Sequence, residues 1–253
     1  MRKILTIGIA LAIFFSACKS NEKEIASDDG GTKLAVQGKD GKTFYVPKKG
    51  NAFTRFFTGV QNDFELEEFS LYSKKWTGGL KAEKAKLIYN IPNSLPGFSS
   101  HYQTATYHVL FPDATREGFQ KAVAQYFSDF ENKNLERSAR ASTKQYGNFA
   151  CRLEWTSVLT KKVTNKGNTK MYFGYEFRDD SPYFSIYVLS ARNEMTEDNR
   201  SAIDESVALH FYFTKAQAKK LSELFDDEKI DELLLPHQQK AEEELKTQER
   251  DEY

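Results

Sequence analysis

The sequence lacks several features that would assign it to a functional class at once. It has 36 basic and 36 acidic residues, so its formal net charge is zero. A nucleic-acid-binding domain usually needs a basic footprint, which this balance does not provide. The longest apolar run, residues 4–15, has 12 residues, whereas a membrane-spanning helix needs about 20. We therefore expect neither a nucleic-acid partner nor a transmembrane helix in this run.

Residues and motifs that carry most enzyme chemistry are also scarce. There are four histidines and two cysteines, and the motifs His-Glu-x-x-His and Gly-x-Ser-x-Gly do not occur. A strand predicted over 101–111 would place His101 and His108 on opposite faces, so they would not share a metal ion. Asp179-Asp180 fits a hairpin turn better than a metal-binding pair. We therefore predict no catalytic residue, no metal site and no cofactor.

Aromatic residues, by contrast, are abundant. The 253-residue chain contains 20 Phe and 13 Tyr. Each such ring buries about 150–250 Å² when it is packed in a core. The chain can therefore build a sizeable core in its middle region, which argues against disorder there.

The N-terminus has the features of an export signal. Arg2 and Lys3 form a charged start, and the apolar run follows directly, as in secretory signal peptides. The run ends at Phe15-Ser16-Ala17-Cys18, which resembles the lipobox of bacterial lipoproteins. Phe15 replaces the usual aliphatic residue, and this looser form is similar to the lipoboxes of Bacteroidota and spirochaetes. The alternative is an ordinary secretory signal followed by a cysteine that is there by chance.

The lipobox resemblance implies cleavage before Cys18 and attachment of fatty acyl chains, such as palmitate, to that residue. The mature protein would then be anchored to a membrane of the bacterial cell envelope, either in the periplasm or at the surface. The organisation that we predict from this and from composition has four parts: a signal peptide (1–17), a lipidated N-terminus with a flexible tether (18–50), a globular domain (51–226) and an acidic, helical C-terminal tail (227–253).

The apolar periodicity of the globular region predicts strands and two helices. Apolar residues alternate with polar ones over 101–111, 147–163, 171–188 and 207–213, which is the period of half-buried strands. One such face carries Phe149, Cys151, Leu153 and Trp155, so Cys151 should be buried and unpaired. Lys166-Gly167-Asn168 is predicted as a tight loop. Helical spacing follows near 114–131 and 215–226. We therefore predict an α+β fold, an antiparallel sheet with one helix-covered face.

Two sets of aromatic residues are candidates for binding. The polar face of the predicted hairpin would present Tyr172, Tyr183 and Tyr187, and tyrosine supplies rigid, amphipathic contact area. Trp76, beside Gly78-Gly79, is the second candidate, since an exposed ring there would stack on a sugar or peptide. The alternative is that these rings only cover a half-solvated sheet and a loop tip.

From these observations we favour a non-catalytic, membrane-anchored envelope lipoprotein with a binding or assembly role toward a protein or glycan partner. The rival hypothesis is a hydrolase of cell-wall or glycan substrates with an unrecognised site. A histidine–acid pair or converging carboxylates in the structure would favour that rival.

Overall fold

The chain forms two compact units, residues 1–57 and 58–253. The computed structural model describes residues 33–37, 43–47, 63–75, 77–157, 164–195 and 204–251. In the first unit, β1 (Lys33–Gln37) and β2 (Thr43–Pro47) pair as an antiparallel hairpin within the segment predicted as a tether. The predicted signal peptide and Cys18 lie outside the described residues.

The second unit is a closed antiparallel barrel of eight strands. Strands that follow one another in the chain are neighbours in the wall, and the last strand, β10, pairs with both β9 and β3. The strands are β3 (Asp63–Lys74), β4 (Leu80–Asn90), β5 (Leu95–Tyr102), β6 (Ala105–Leu110), β7 (Asn148–Ser157), β8 (Thr164–Arg178), β9 (Ser181–Val188) and β10 (Leu209–Phe213).

The predicted α+β fold is therefore wrong, although the predicted alternation of faces is largely correct. In a closed barrel the apolar faces of the strands cover one another, so no helix layer is needed. An open sheet and a closed barrel require the same alternation along each strand. Alternation alone cannot distinguish them.

Aromatic side chains fill the interior of the barrel. Phe98 from β5 reaches Phe211 on β10, with ring centroids 5.2 Å apart, and Phe119 packs against Phe173 at 5.5 Å. The large side chains that are less than 2% exposed are Tyr126, Trp155, Tyr175, Tyr212, Phe98, Phe111, Phe119, Phe173, Phe184, Phe211, Phe213 and Phe225. Most of these belong to inward-facing strand positions, so side chains occupy the interior.

Two helices close one end of the barrel and do not cover a sheet face. The ring of Phe119 on α1 (Asp113–Glu131) packs against the ring of Phe184, with centroids 5.9 Å apart. The ring of Phe225, just after α2 (Lys215–Leu224), lies 5.6 Å from that of Phe119, also between centroids. Both helices lie close to their predicted positions. Thr214 and Gln217 form a reciprocal capping box at the start of α2, which satisfies two free backbone N–H groups.

The acidic C-terminal segment forms α3 (Asp227–Asp251), in which Pro236 lies inside the helix. Ile230 and Leu234 on α3 are buried, and Asp227 forms an ion pair with Arg116 of α1. None of the helices in the described part of the chain is long and apolar enough to cross a membrane.

Two local predictions need correction. Gly167 lies within β8, opposite Leu153 of β7, and not in a tight loop. A Cβ at this position would collide with the carbonyl oxygen of Arg192, so the glycine lets the chain after β9 pass close to the barrel end. The predicted strand over 101–111 is a hairpin, with a turn at 103–104 between β5 and β6. His101 and His108 therefore lie on different strands.

Cys151 is buried and unpaired, as predicted. Burial raises the pKa of its thiol to about 12, and the thiol is much less nucleophilic than the thiolate. We expect Cys151 to resist alkylation at pH 8 in the folded protein and to react after denaturation, as measured by mass spectrometry. A Ser138→Cys variant, which adds an exposed thiol, should react under both conditions. Rapid native alkylation of Cys151 would contradict the strand register of β7.

Candidate functional site

Two of the predicted tyrosines form a row of rings across the outside of the barrel. Register places Tyr172 of β8 opposite Tyr187 of β9, and Tyr187 opposite His210 of β10. The ring centroids are 6.1 Å apart for Tyr172–Tyr187 and 4.1 Å apart for Tyr187–His210. We call these three residues the aromatic ladder. All three side chains are partly exposed.

A lysine lies at each end of the aromatic ladder. Lys144 Nζ is 4.7 Å from the ring centroid of Tyr172, which is cation–π distance. At the other end, the charge of Lys74 on β3 acts on His210. The ladder therefore joins apolar ring surface to positive charge.

The third predicted tyrosine, Tyr183, lies on the same outer face but not in the ladder. Its ring makes an edge contact with Tyr72 of β3 at 5.7 Å. A short 3-10 turn, Ser142–Lys144, lies over Gly174 of β8, where any Cβ would collide with the Ser142 carbonyl oxygen. Gly174 is paired with Ser185 of β9, so this turn covers the wall between Tyr183 and the ladder. Trp76 lies outside the described residues.

Next to the ladder is a partly buried polar cluster that the sequence did not reveal. The Tyr212 hydroxyl donates to Glu176 Oε2 at 2.8 Å and accepts from Arg178 Nη2 at 3.0 Å. Arg178 also pairs with Glu176 at 2.6 Å and donates to the carbonyl oxygen of Gly78 in the β3–β4 hairpin. Burial raises the pKa of Tyr212, so its hydroxyl stays protonated.

His210 is the ionisable member of the ladder. Burial and, to a smaller extent, the charge of Lys74 lower its pKa to about 4, while Glu176 acts in the opposite direction. The imidazole is therefore neutral near pH 7, because its charged form would lie among rings and close to a lysine. At that pH the three rings stack without a charge between them.

A second polar cluster, on another part of the outer wall, contains a histidine–acid pair. His108 Nδ1 on β6 lies 2.7 Å from Asp63 Oδ2 at the start of β3, but the two atoms are not aligned for a hydrogen bond. Glu154 of β7 lies opposite His108 in the register. A histidine–acid pair of this kind is the feature that would favour the rival hydrolase hypothesis.

The other partners in this cluster indicate a structural role. Asn90 donates to Asp63 at 2.7 Å and to Glu154 at 3.3 Å, and Asn93 donates to Glu154 at 2.9 Å. These amides tie the start of β3 and the turn after β4 to β7. Buried polar groups are normally satisfied in this way. Among the described residues, no group of three or more His, Cys, Asp or Glu side chains is placed to hold a metal ion.

The depressed pKa of His210 predicts a pH-dependent stability. In the unfolded chain a histidine titrates near 6.5, so between about pH 6.5 and 4 the unfolded state binds more protons. The contribution of neutral His210 to stability is therefore present above that range and is lost as the pH falls through it. We expect a loss on the order of 1 kcal/mol, because solvent screens this partly exposed site.

Urea unfolding of the wild type and of His210→Phe at pH 7.5 and pH 4.5 measures this effect. The free energy of unfolding should fall more for the wild type than for the variant. Tyr187→Phe alters the same ladder but leaves His210 in place, so it should keep the wild-type pH dependence. An identical fall for wild type and His210→Phe would show that His210 titrates normally.

Comparison with known proteins gives a family but no characterised relative. Residues 45–232, about three quarters of the chain, match the family model described as "Uncharacterised Treponema protein". No curated protein and no solved structure matches the chain. The matched residues include the whole barrel and the start of α3, and the spirochaete origin agrees with one of the two lipobox types that the N-terminus resembles. The chain therefore belongs to this family of uncharacterised Treponema proteins.

Proposed function

We propose that this protein is a membrane-anchored envelope lipoprotein with a non-catalytic binding or assembly role. The observation that carries the proposal is the aromatic ladder on the outer wall of a barrel whose interior is filled.

The filled interior favours recognition on the outside. An eight-stranded barrel either packs its interior with side chains or holds a small ligand there. Here Phe98, Phe173 and Phe211 belong to one buried hydrophobic cluster and are not exposed to solvent. A ligand in the same space would have to displace these rings, which would cost packing energy throughout the core.

The ladder has the properties of a contact surface. Tyr172 and Tyr187 are partly exposed. Tyr172 stacks on Tyr187, and Tyr187 lies against His210, so the rings are held in place before any partner arrives. Rings that are already ordered lose little conformational entropy on binding. Tyrosine is also enriched at protein interfaces, because its ring is apolar and its hydroxyl is polar.

The hydrolase hypothesis has weaker support. General-base catalysis needs an imidazole oriented by its carboxylate partner, and the His108–Asp63 contact lacks that alignment. Asp63 and Glu154 are already engaged by Asn90 and Asn93. These contacts serve to join the strands of the wall.

The anchor is tested by replacing Cys18. Cys18→Ala removes the thiol that would carry the lipid, so we expect loss of labelling by an alkyne fatty acid and release of the protein from the membrane fraction. Cys151→Ala is the matched control, because it removes the only other cysteine and should leave labelling unchanged. Full labelling of the Cys18→Ala protein would disprove the anchor.

The contact role is tested by crosslinking in intact cells. A photo-reactive phenylalanine derivative at Tyr187 should give discrete adducts, because this ring lies in the ladder. The same group at Ala124, an exposed position on α1 at the barrel end, should give none. Absence of adducts from both positions, with the proteins folded and present at wild-type levels, would contradict a binding role for the ladder.

A further inference from the structure

We propose that the aromatic ladder docks on an anionic membrane surface, so that the barrel lies with this wall against the bilayer that carries its anchor. The inference rests on the proposed function and names the partner of the same surface.

The strands of the wall carry little negative charge of their own, and the nearby Glu194, which accepts from Asn168 of β8, is paired with Arg152. The three strands β8, β9 and β10, all of whose residues are described, contain one acidic residue, Glu176, and it is paired with Arg178 at 2.6 Å. Lys144 and Lys170, both exposed, lie beside Tyr172. The acidic turn at 179–180 is about 20 Å from Tyr172 along β8. Lysines near an anionic leaflet each favour binding by about fivefold.

Two apolar side chains lie near the part of the wall where β9 ends and β10 begins. Val207, just before β10, is 41% exposed, although it is a large hydrophobic residue. Leu189, just after β9, is partly exposed. Both lie two or three positions from a ladder residue in sequence. The wall therefore offers shallow apolar contact next to its lysines.

Tyrosine rings flanked by lysines are typical of a membrane interface. The ring of tyrosine is apolar and its hydroxyl is polar, so it favours the headgroup level over either water or hydrocarbon. Lysine can lay its apolar stem along such a surface and keep its ammonium group near phosphates. A soluble protein partner would more often meet arginine and mixed charge at its contact surface.

The lipid anchor makes weak docking sufficient. Once acyl chains hold the protein at the bilayer, the wall meets the lipid at a high effective concentration. The ladder then needs only to orient the barrel and not to anchor it. An acyl anchor combined with a basic patch is a common pair of membrane signals.

The test measures which wall of the lipidated protein lies against the bilayer. The full-length lipidated protein is reconstituted in vesicles of phosphatidylcholine, with or without phosphatidylglycerol, that contain brominated lipid as a quencher. A fluorophore is attached at Ser190→Cys, beside the ladder, or at Ala124→Cys, on α1. Labelling is selective because Cys18 is acylated and Cys151 is buried.

We expect strong quenching at position 190 in vesicles that contain phosphatidylglycerol, and little at position 124. High salt should reduce the quenching, because it screens the lysines. The variant Lys74→Gln/Lys144→Gln should shift the docked fraction by more than about tenfold in equilibrium constant, from two lysines of about fivefold each. Lys121→Gln/Lys133→Gln, which removes two exposed lysines elsewhere, should have no effect.

Three outcomes would overturn the inference or its basis, and they are distinguishable. Equal quenching at positions 190 and 124, or quenching that does not depend on phosphatidylglycerol, would show that the wall does not dock. Crosslinks from position 187 to a protein or a glycan, without quenching in vesicles, would assign the ladder to that partner. Failure of the protein to remain with either kind of vesicle would instead refute the anchor, and with it the proposed function.

Discussion

The pairing of β10 with β3 closes the barrel, and it is a short contact on which the rest of the structure depends. Only Phe211 and Tyr212 have register partners on β3, namely Ser73 and Tyr72, whereas β10 and β9 share five paired positions. Tyr212 lies at this seam and is held by Glu176 and Arg178 from β8. Arg178 also binds the carbonyl oxygen of Gly78, beyond the seam. The polar cluster thus joins both sides of the seam.

Closure also explains which features of the fold the sequence could predict. Alternation identified the inward residues of β7 to β10, including Cys151, because each of these strands has one dry face. It could not predict closure, which requires Tyr72 to meet Tyr212 across 140 positions of the chain. Alternation also gives no clear signal for β3, because a bulge between Glu65 and Glu67 shifts its register and changes the phase of the pattern.

The site could be predicted only where it follows from alternation. Tyr172 and Tyr187 were correctly placed on one outer face, because each is one residue away from inward-facing neighbours. The turn over Gly174, which lies on the wall between Tyr183 and the ladder, joins segments about 30 residues apart, and no periodicity predicts it. The contacts of Asp63 with His108 and Asn90 likewise join distant strands.

A filled barrel separates the residues that give stability from those available for contact. The interior rings supply most of the buried apolar area, so substitutions on the outer wall need not disturb the core. The ladder lies on that wall, yet it is ordered by its own stacking and by the neutrality of His210 at pH 7. If the imidazole carried a charge, it would place a third cation between Lys74 and Lys144 and would need water around it. Burial keeps His210 neutral, so the ladder is an uncharged row of rings with a lysine at each end. Docking on an anionic membrane requires this combination of rings and positive charge.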